Sequence, residues 1–108
     1  MARYKKREGI QNPMSTNPRR RGLLLSHAVN ELLAGDIDAG KAMLRVVIES
    51  GITFLVLAEK LDTESKSLRC MFAPKGILRL NALSKILKTL QEWENIKICV
   101  KSRPPERL

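Results

Sequence analysis

Little in this sequence equips it for catalysis, metal binding or membrane insertion. It has one histidine, His27, and only four aromatic residues (one Trp, one Tyr and two Phe). Its two cysteines, Cys70 and Cys99, fit no metal-binding or redox spacing and read as packing residues. No carboxylate pair, glycine-rich phosphate loop or HExxH motif is present, and Asp36 and Asp38 sit at a helix start, where the helix dipole accounts for them. No apolar run approaches the roughly 18 residues that span a bilayer; the most apolar stretch, Ile52 to Ala58, is far shorter. The basic N-terminus has no apolar segment behind it, so it does not read as a secretory signal. These absences lead us to expect a soluble, cytoplasmic protein that is not an enzyme, needs no cofactor and has no membrane partner. So few aromatics also make a poor stacking surface for single-stranded RNA.

Acidic residues are scarce as well. Twenty Lys and Arg face 11 Asp and Glu, for a formal charge of +9 and a pI near 10.1. That balance favours a polyanionic partner. The charge is unevenly spread. Residues 1 to 21 carry seven basic residues and one acid, and Asn12, Pro13, Asn17 and Pro18 interrupt any periodicity there. We read 1–21 as a basic disordered arm. It either follows a phosphate backbone or minor groove, or is only a solvated tail. Residues 22–101 read as one folded domain and 102–108 as an extended tail.

What the domain has in plenty is helical periodicity; apolar residues make up 44% of the chain. A first helix over 22–34 repeats Leu25, Ala28, Val29 and Leu32, with Leu33 beside them, and Gly35 stops it. Asp36 or Asp38 caps a second, over about 39–50, with Ala42, Met43, Val46 and Val47 on one face and Leu44 and Ile48 widening it. Thr53 caps a third helix over 54–61, with Leu57, Ala58 and Leu61 inward. A turn at Asp62 and Thr63 leads to a fourth over 64–72, with Leu68, Met71 and Phe72 inward. After a Pro/Gly loop, Leu80, Leu83, Leu87 and Leu90 stripe a fifth helix over 80–93. Ile96, Ile98 and Val100 then alternate with Lys97, Cys99 and Lys101 as a short strand, and pairing with the same strand of a second chain implies a homodimer.

The stretch 53–72 carries the functional signal. Two short helices with a tight turn leave Ser65, Lys66 and Arg69 on an outer face, the form of element that enters a major groove. Between Thr63 and Lys88 the basic residues are Lys66, Arg69, Lys75, Arg79, Lys85 and Lys88, against Glu64 alone. Between Gly22 and Asp62 three basic residues face six acids, so the body is polarised. Thr53, at a helix N-terminus, is placed to take a phosphate. Ser65 and Lys66 reach for base edges, and Arg69, one turn on, suits a bidentate contact with guanine, worth roughly 1–3 kcal/mol of discrimination. Ser67 either joins them or bonds backbone. Lys75 and Arg79, together with Lys85, are candidate backbone contacts.

ITFLVLAEKLDTESKSLRCMF resembles the helix-turn-helix of lambda-repressor-like (Xre-type) regulators, through Thr53, Leu57-Ala58-Glu59-Lys60, Ser65 and Leu68. More narrowly, FAPKGILRLNALSKILKTL and LLAGDIDAGKAMLRVVIESG resemble the addiction-module antidote (antitoxin) family, through Pro74, Gly76, Leu80, Leu83, Leu87, Lys88 and Leu90 and a helix pair joined by Gly-Asp. The resemblance covers about residues 28–100. It implies an all-α, five-helix lambda-repressor-like domain, here with a short C-terminal strand. It further implies a dimeric regulator of double-stranded operator DNA, often the antitoxin and autorepressor of a toxin–antitoxin pair. Three positions depart from the pattern: Asp62 where the turn usually has Gly, Phe54 where a polar phosphate-binding Gln is usual, and Ile77-Leu78 in place of Asn-Pro. The alternative reading is a protein-interaction module that neutralises a toxin with little specific DNA binding.

Overall fold

A computed structural model of the chain describes residues 17–105. These form five helices in the order α1 (Pro18–Leu33), α2 (Ile37–Ser50), α3 (Phe54–Leu61), α4 (Ser65–Phe72) and α5 (Leu80–Glu94). The fold among these residues is all-α. No helix among them is long and apolar enough to cross a membrane.

The first helix begins at Pro18, inside what the sequence suggests is the basic arm. The Asn17-Pro18 doublet starts the helix instead of breaking periodicity. The Asn17 side chain accepts the Arg20 N–H at 3.2 Å, and proline at the first helical position has its φ already set. Residues 1–16 of the expected arm and 106–108 of the expected tail lie outside the described residues.

Local chemistry also ends and restarts the later helices. Gly35, at φ +89°, takes the left-handed turn after α1; its N–H donates to the Leu32 carbonyl and that of Asp36 to Glu31. Asp36 then caps α2 by accepting the Ala39 N–H at 3.1 Å, which settles the choice between Asp36 and Asp38. Between α3 and α4, Asp62 occupies the left-handed region at φ 55°, ψ 50°, as a helix end requires.

The core is one cluster. Leu25 and Ala28 of α1 meet Leu44, Val47 and Ile48 of α2, with Ile52, Phe54, Leu57, Ala58, Leu68, Phe72, Ile86 and Leu90 completing it. Gly40 lets the first two helices close up, because a Cβ there would strike the Leu32 side chain. Some expected core positions lie outside it. Ala42 is exposed because α2 turns the stripe Lys41, Leu44, Ile48 inward instead. Leu33 and Leu80 are 66% and 77% exposed; each sits in a terminal turn that no other helix covers.

Residues 96–100 form no strand among the described residues. The segment folds back on its own chain. Ile96 packs against α1 at Gly22, where a Cβ would lie 3.3 Å from the Ile96 Cδ1, and the Ile98 N–H donates to Gln91 Oε1 at 2.8 Å. Ile96 and Ile98 are half-buried and Lys97 and Cys99 exposed, as the expected alternation has it, but Val100 is 71% exposed, so the alternation ends at Cys99 and no strand pairing accompanies it.

Candidate nucleic-acid interface

α4 is anchored by two side chains. Leu68 and Phe72 are buried one turn apart, and the Phe72 ring meets Phe54 of α3 edge-on, with centroids 5.7 Å apart. Burying that side leaves Lys66, Ser67, Arg69 and Cys70 exposed, while Ser65 is half-buried. The outward face is therefore centred on Lys66 and Cys70 and flanked by Ser67 and Arg69, one residue further round than the sequence suggests.

Phe54 explains part of this arrangement. Its sequence position suggests an apolar side chain where polar grip on phosphate is usual. It is instead 3% exposed and belongs to the core. The Arg69 guanidinium lies over the Phe54 ring, 5.7 Å from its centroid. The contact fixes the stem of Arg69 and brings the middle of α4 beside the start of α3.

Thr53 stands at that start and is exposed. Its side-chain oxygen accepts the Val56 N–H at 3.4 Å. Its backbone is strained: φ 76° with ψ 155° is a conformation that β-branched residues avoid. It is held there from both sides, its N–H donating to Ile48 and its carbonyl accepting the Leu57 N–H.

Beyond α4 the chain makes a tight turn over 73–76, closed by the Gly76 N–H donating to the Ala73 carbonyl at 2.8 Å. Only glycine fits at position 76, because a Cβ would collide with the Cys70 carbonyl oxygen at the end of α4. The turn is held from beneath by Lys41 of α2, which is 4% exposed and donates from Nζ to the Ala73 and Gly76 carbonyls at 2.7 and 2.8 Å. Lys75 and Arg79 project from this segment and are both exposed. Ser67, Lys75 and Arg79 line one shallow concavity of about 350 Å³, floored by Cys70, Met71 and Gly76 and edged by Ile77. Ile77 is 69% exposed, whereas Leu78 is half-buried against the core.

Of the residues singled out in the sequence, the structure brings Ser67, Lys75 and Arg79 around one concavity and sets Lys66 and Arg69 on the adjoining helix face. Thr53 adjoins them through Phe54. Sequence reasoning missed Lys41, which it counted among the charges of the acidic half, and Arg21, which it assigned to the arm. Arg21 is 9% exposed; its Nε lies 2.8 Å from Glu94 Oε2 and its Nη1 3.5 Å from the Ser50 carbonyl, tying the start of α1 to the ends of α2 and α5. A signal for both was present: each charge continues an apolar stripe, Arg21 with Leu25 and Ala28, and Lys41 with Leu44 and Ile48. His27 is exposed on α1, and among the described residues no group of three or more His, Cys, Asp or Glu gathers as metal ligands.

No family model, curated protein or solved structure matches this chain.

Proposed function

We propose that the chain is a sequence-specific regulator that binds double-stranded DNA, with α3, the Asp62 turn and α4 forming a lambda-repressor-like helix-turn-helix. One observation carries the reading. α4 is pinned by Leu68 and Phe72 while Lys66, Ser67 and Arg69 face solvent, and no acid lies between Ser65 and Lys88 to oppose them. In this reading Lys66 and Arg69 read base edges with Ser65 and Ser67, and Thr53, Lys75 and Arg79 hold phosphates. The protein acts as a dimer on a palindromic cytoplasmic operator. The resemblance of residues 28–100 to antidote proteins supports the role of antitoxin and autorepressor of a toxin–antitoxin pair.

Selection of bound sequences from a random DNA pool tests the reading. An enriched palindrome supports it. The Lys66→Ala/Arg69→Ala chain should then lose discrimination between that palindrome and mixed-sequence DNA, and unchanged affinity and specificity would sink the base-reading role. The exposed Ile77 and Leu80 favour a second reading, an interaction module that neutralises a toxin protein without reading DNA. A pool that yields no enriched sequence, together with co-purification of a small toxin, selects that alternative.

A further inference from the structure

We infer that Lys41 is a positioning residue for phosphate binding: from beneath the 73–76 turn it sets where Lys75 and Arg79 stand, so that with Ser67 they make one phosphate seat beside α4. The inference rests on the DNA-binding reading above.

Three features of the structure support it. First, Lys41 is a buried cation with no carboxylate within ion-pair distance among the described residues; its ammonium donates to two backbone carbonyls, both of the turn. An ammonium that donates to two carbonyls of one turn, and to no side chain, fixes where that turn stands. Second, both acceptors belong to the same turn, which is packed onto the Cys70 carbonyl at Gly76, so the turn cannot shift without losing Lys41 or striking α4. Third, what the turn carries is cationic and exposed. Lys75 lies within it and Arg79 three residues past its end, and both line the concavity that Ser67 edges. A hydroxyl, an ammonium and a guanidinium around one shallow hollow match the oxygens of a phosphodiester.

A purely structural lysine would also stabilise the fold, so the test reads phosphate binding instead of stability. Binding of the full chain to mixed-sequence duplex DNA is measured against salt concentration for the unsubstituted chain, Lys41→Met and Lys75→Ala/Arg79→Ala. Measurements are made at a temperature where circular dichroism shows every chain folded. Lys41→Met keeps the aliphatic stem and removes the donor. It should weaken binding about tenfold near 0.1 M salt and flatten the log–log salt slope by about 0.9 for each phosphate that is no longer neutralised. Added to Lys75→Ala/Arg79→Ala it should change neither quantity further, and Lys41→Arg, which keeps charge and donors, should restore the slope. Should the Met variant fail to fold, Lys41→Leu, which likewise has no donor, takes its place in the same comparisons. A slope left unchanged by Lys41→Met or Lys41→Leu, or an equal loss in both backgrounds, overturns the inference while leaving DNA binding standing. No binding by the unsubstituted chain overturns the DNA reading and this inference together.

Discussion

Among the described residues two cations are buried, each at a junction between helices, and the contrast between them separates holding the fold from presenting a surface. At one junction Arg21 faces Glu94 across 2.8 Å, with side chains 10% and 2% exposed, and Gly51 makes room for them: a Cβ there would lie 2.7 Å from Glu94 Oε2. At the other, Lys41 meets only the carbonyls of Ala73 and Gly76, and Gly76 makes room against the Cys70 carbonyl. Each pairs a cation with a glycine that permits close approach. They differ in the acceptor. The carboxylate cancels the charge of Arg21 and locks three helix ends together. The carbonyls tie Lys41 to the turn that carries Lys75.

Removing each cation should therefore have a different signature. Arg21→Met leaves the Glu94 carboxylate buried without its guanidinium, which costs about 3–5 kcal/mol, a large share of the stability of a small domain. Chemical denaturation should show it as a lower midpoint with little change in slope. DNA affinity measured on the folded fraction should be unaltered. An affinity loss there would mean that the two junctions are not separable.

Gly76→Ala should come next. The added methyl meets backbone rather than a pliant side-chain end, so the turn must move, at about 1–3 kcal/mol. Because the turn carries Lys75, a flatter salt dependence of DNA binding should accompany the stability loss. Gly51→Ala should destabilise without that flattening. If both glycine variants flatten the slope equally, the contrast between the junctions fails.

Lys41→Met should cost less stability than either, about 1–2 kcal/mol, because the Ala73 carbonyl keeps the Gly76 N–H and only the Gly76 carbonyl loses a bond outright. Thermal melts of the Met and Arg variants side by side measure this. A loss as large as that of Arg21→Met would place Lys41 with the structural lock.

Which parts of this were legible in the sequence follows from how local their causes are. The limits of α3, Phe54–Leu61, are those that Thr53 and Asp62 imply, because cap and left-handed stop act within one turn. Gly35 and Asp36 join α1 to α2 for the same reason. The start of α1 was not legible because Asn-Pro signals a loop or a helix start equally well, and only the Asn17 hydrogen bond decides. In the candidate site, Lys66 and Arg69 were legible from helical spacing. Lys41 and Arg21 were legible only as charges that continue an apolar stripe; what each does there was not, because its partner lies 32 or 73 residues away in the chain. The role of Phe54 was hidden too, because whether the first residue of a helix is buried depends on which helix packs across it, here α4 through Phe72.

The smallest effect belongs to the turn that joins α3 to α4, on the presenting side of the contrast. Asp62 holds φ 55° and its N–H donates to the Ala58 and Glu59 carbonyls, with the Thr63 N–H also reaching Ala58. Asp62→Gly keeps all three bonds, since they use backbone alone, and removes the Cβ that the left-handed region disfavours. It also loosens the unfolded chain, which offsets part of the gain. The net should be a stabilisation of about 0.5–1 kcal/mol, read as a rise of a few degrees in Tm. The substitution also deletes an acid at the edge of the basic face, so DNA affinity should rise slightly at low salt and converge with that of the unsubstituted chain at high salt. A lower Tm would show that the Asp62 carboxylate contributes more to the turn than its backbone conformation costs, and an affinity gain that persists at high salt would show that the turn geometry, and not its charge, limits how α4 is presented.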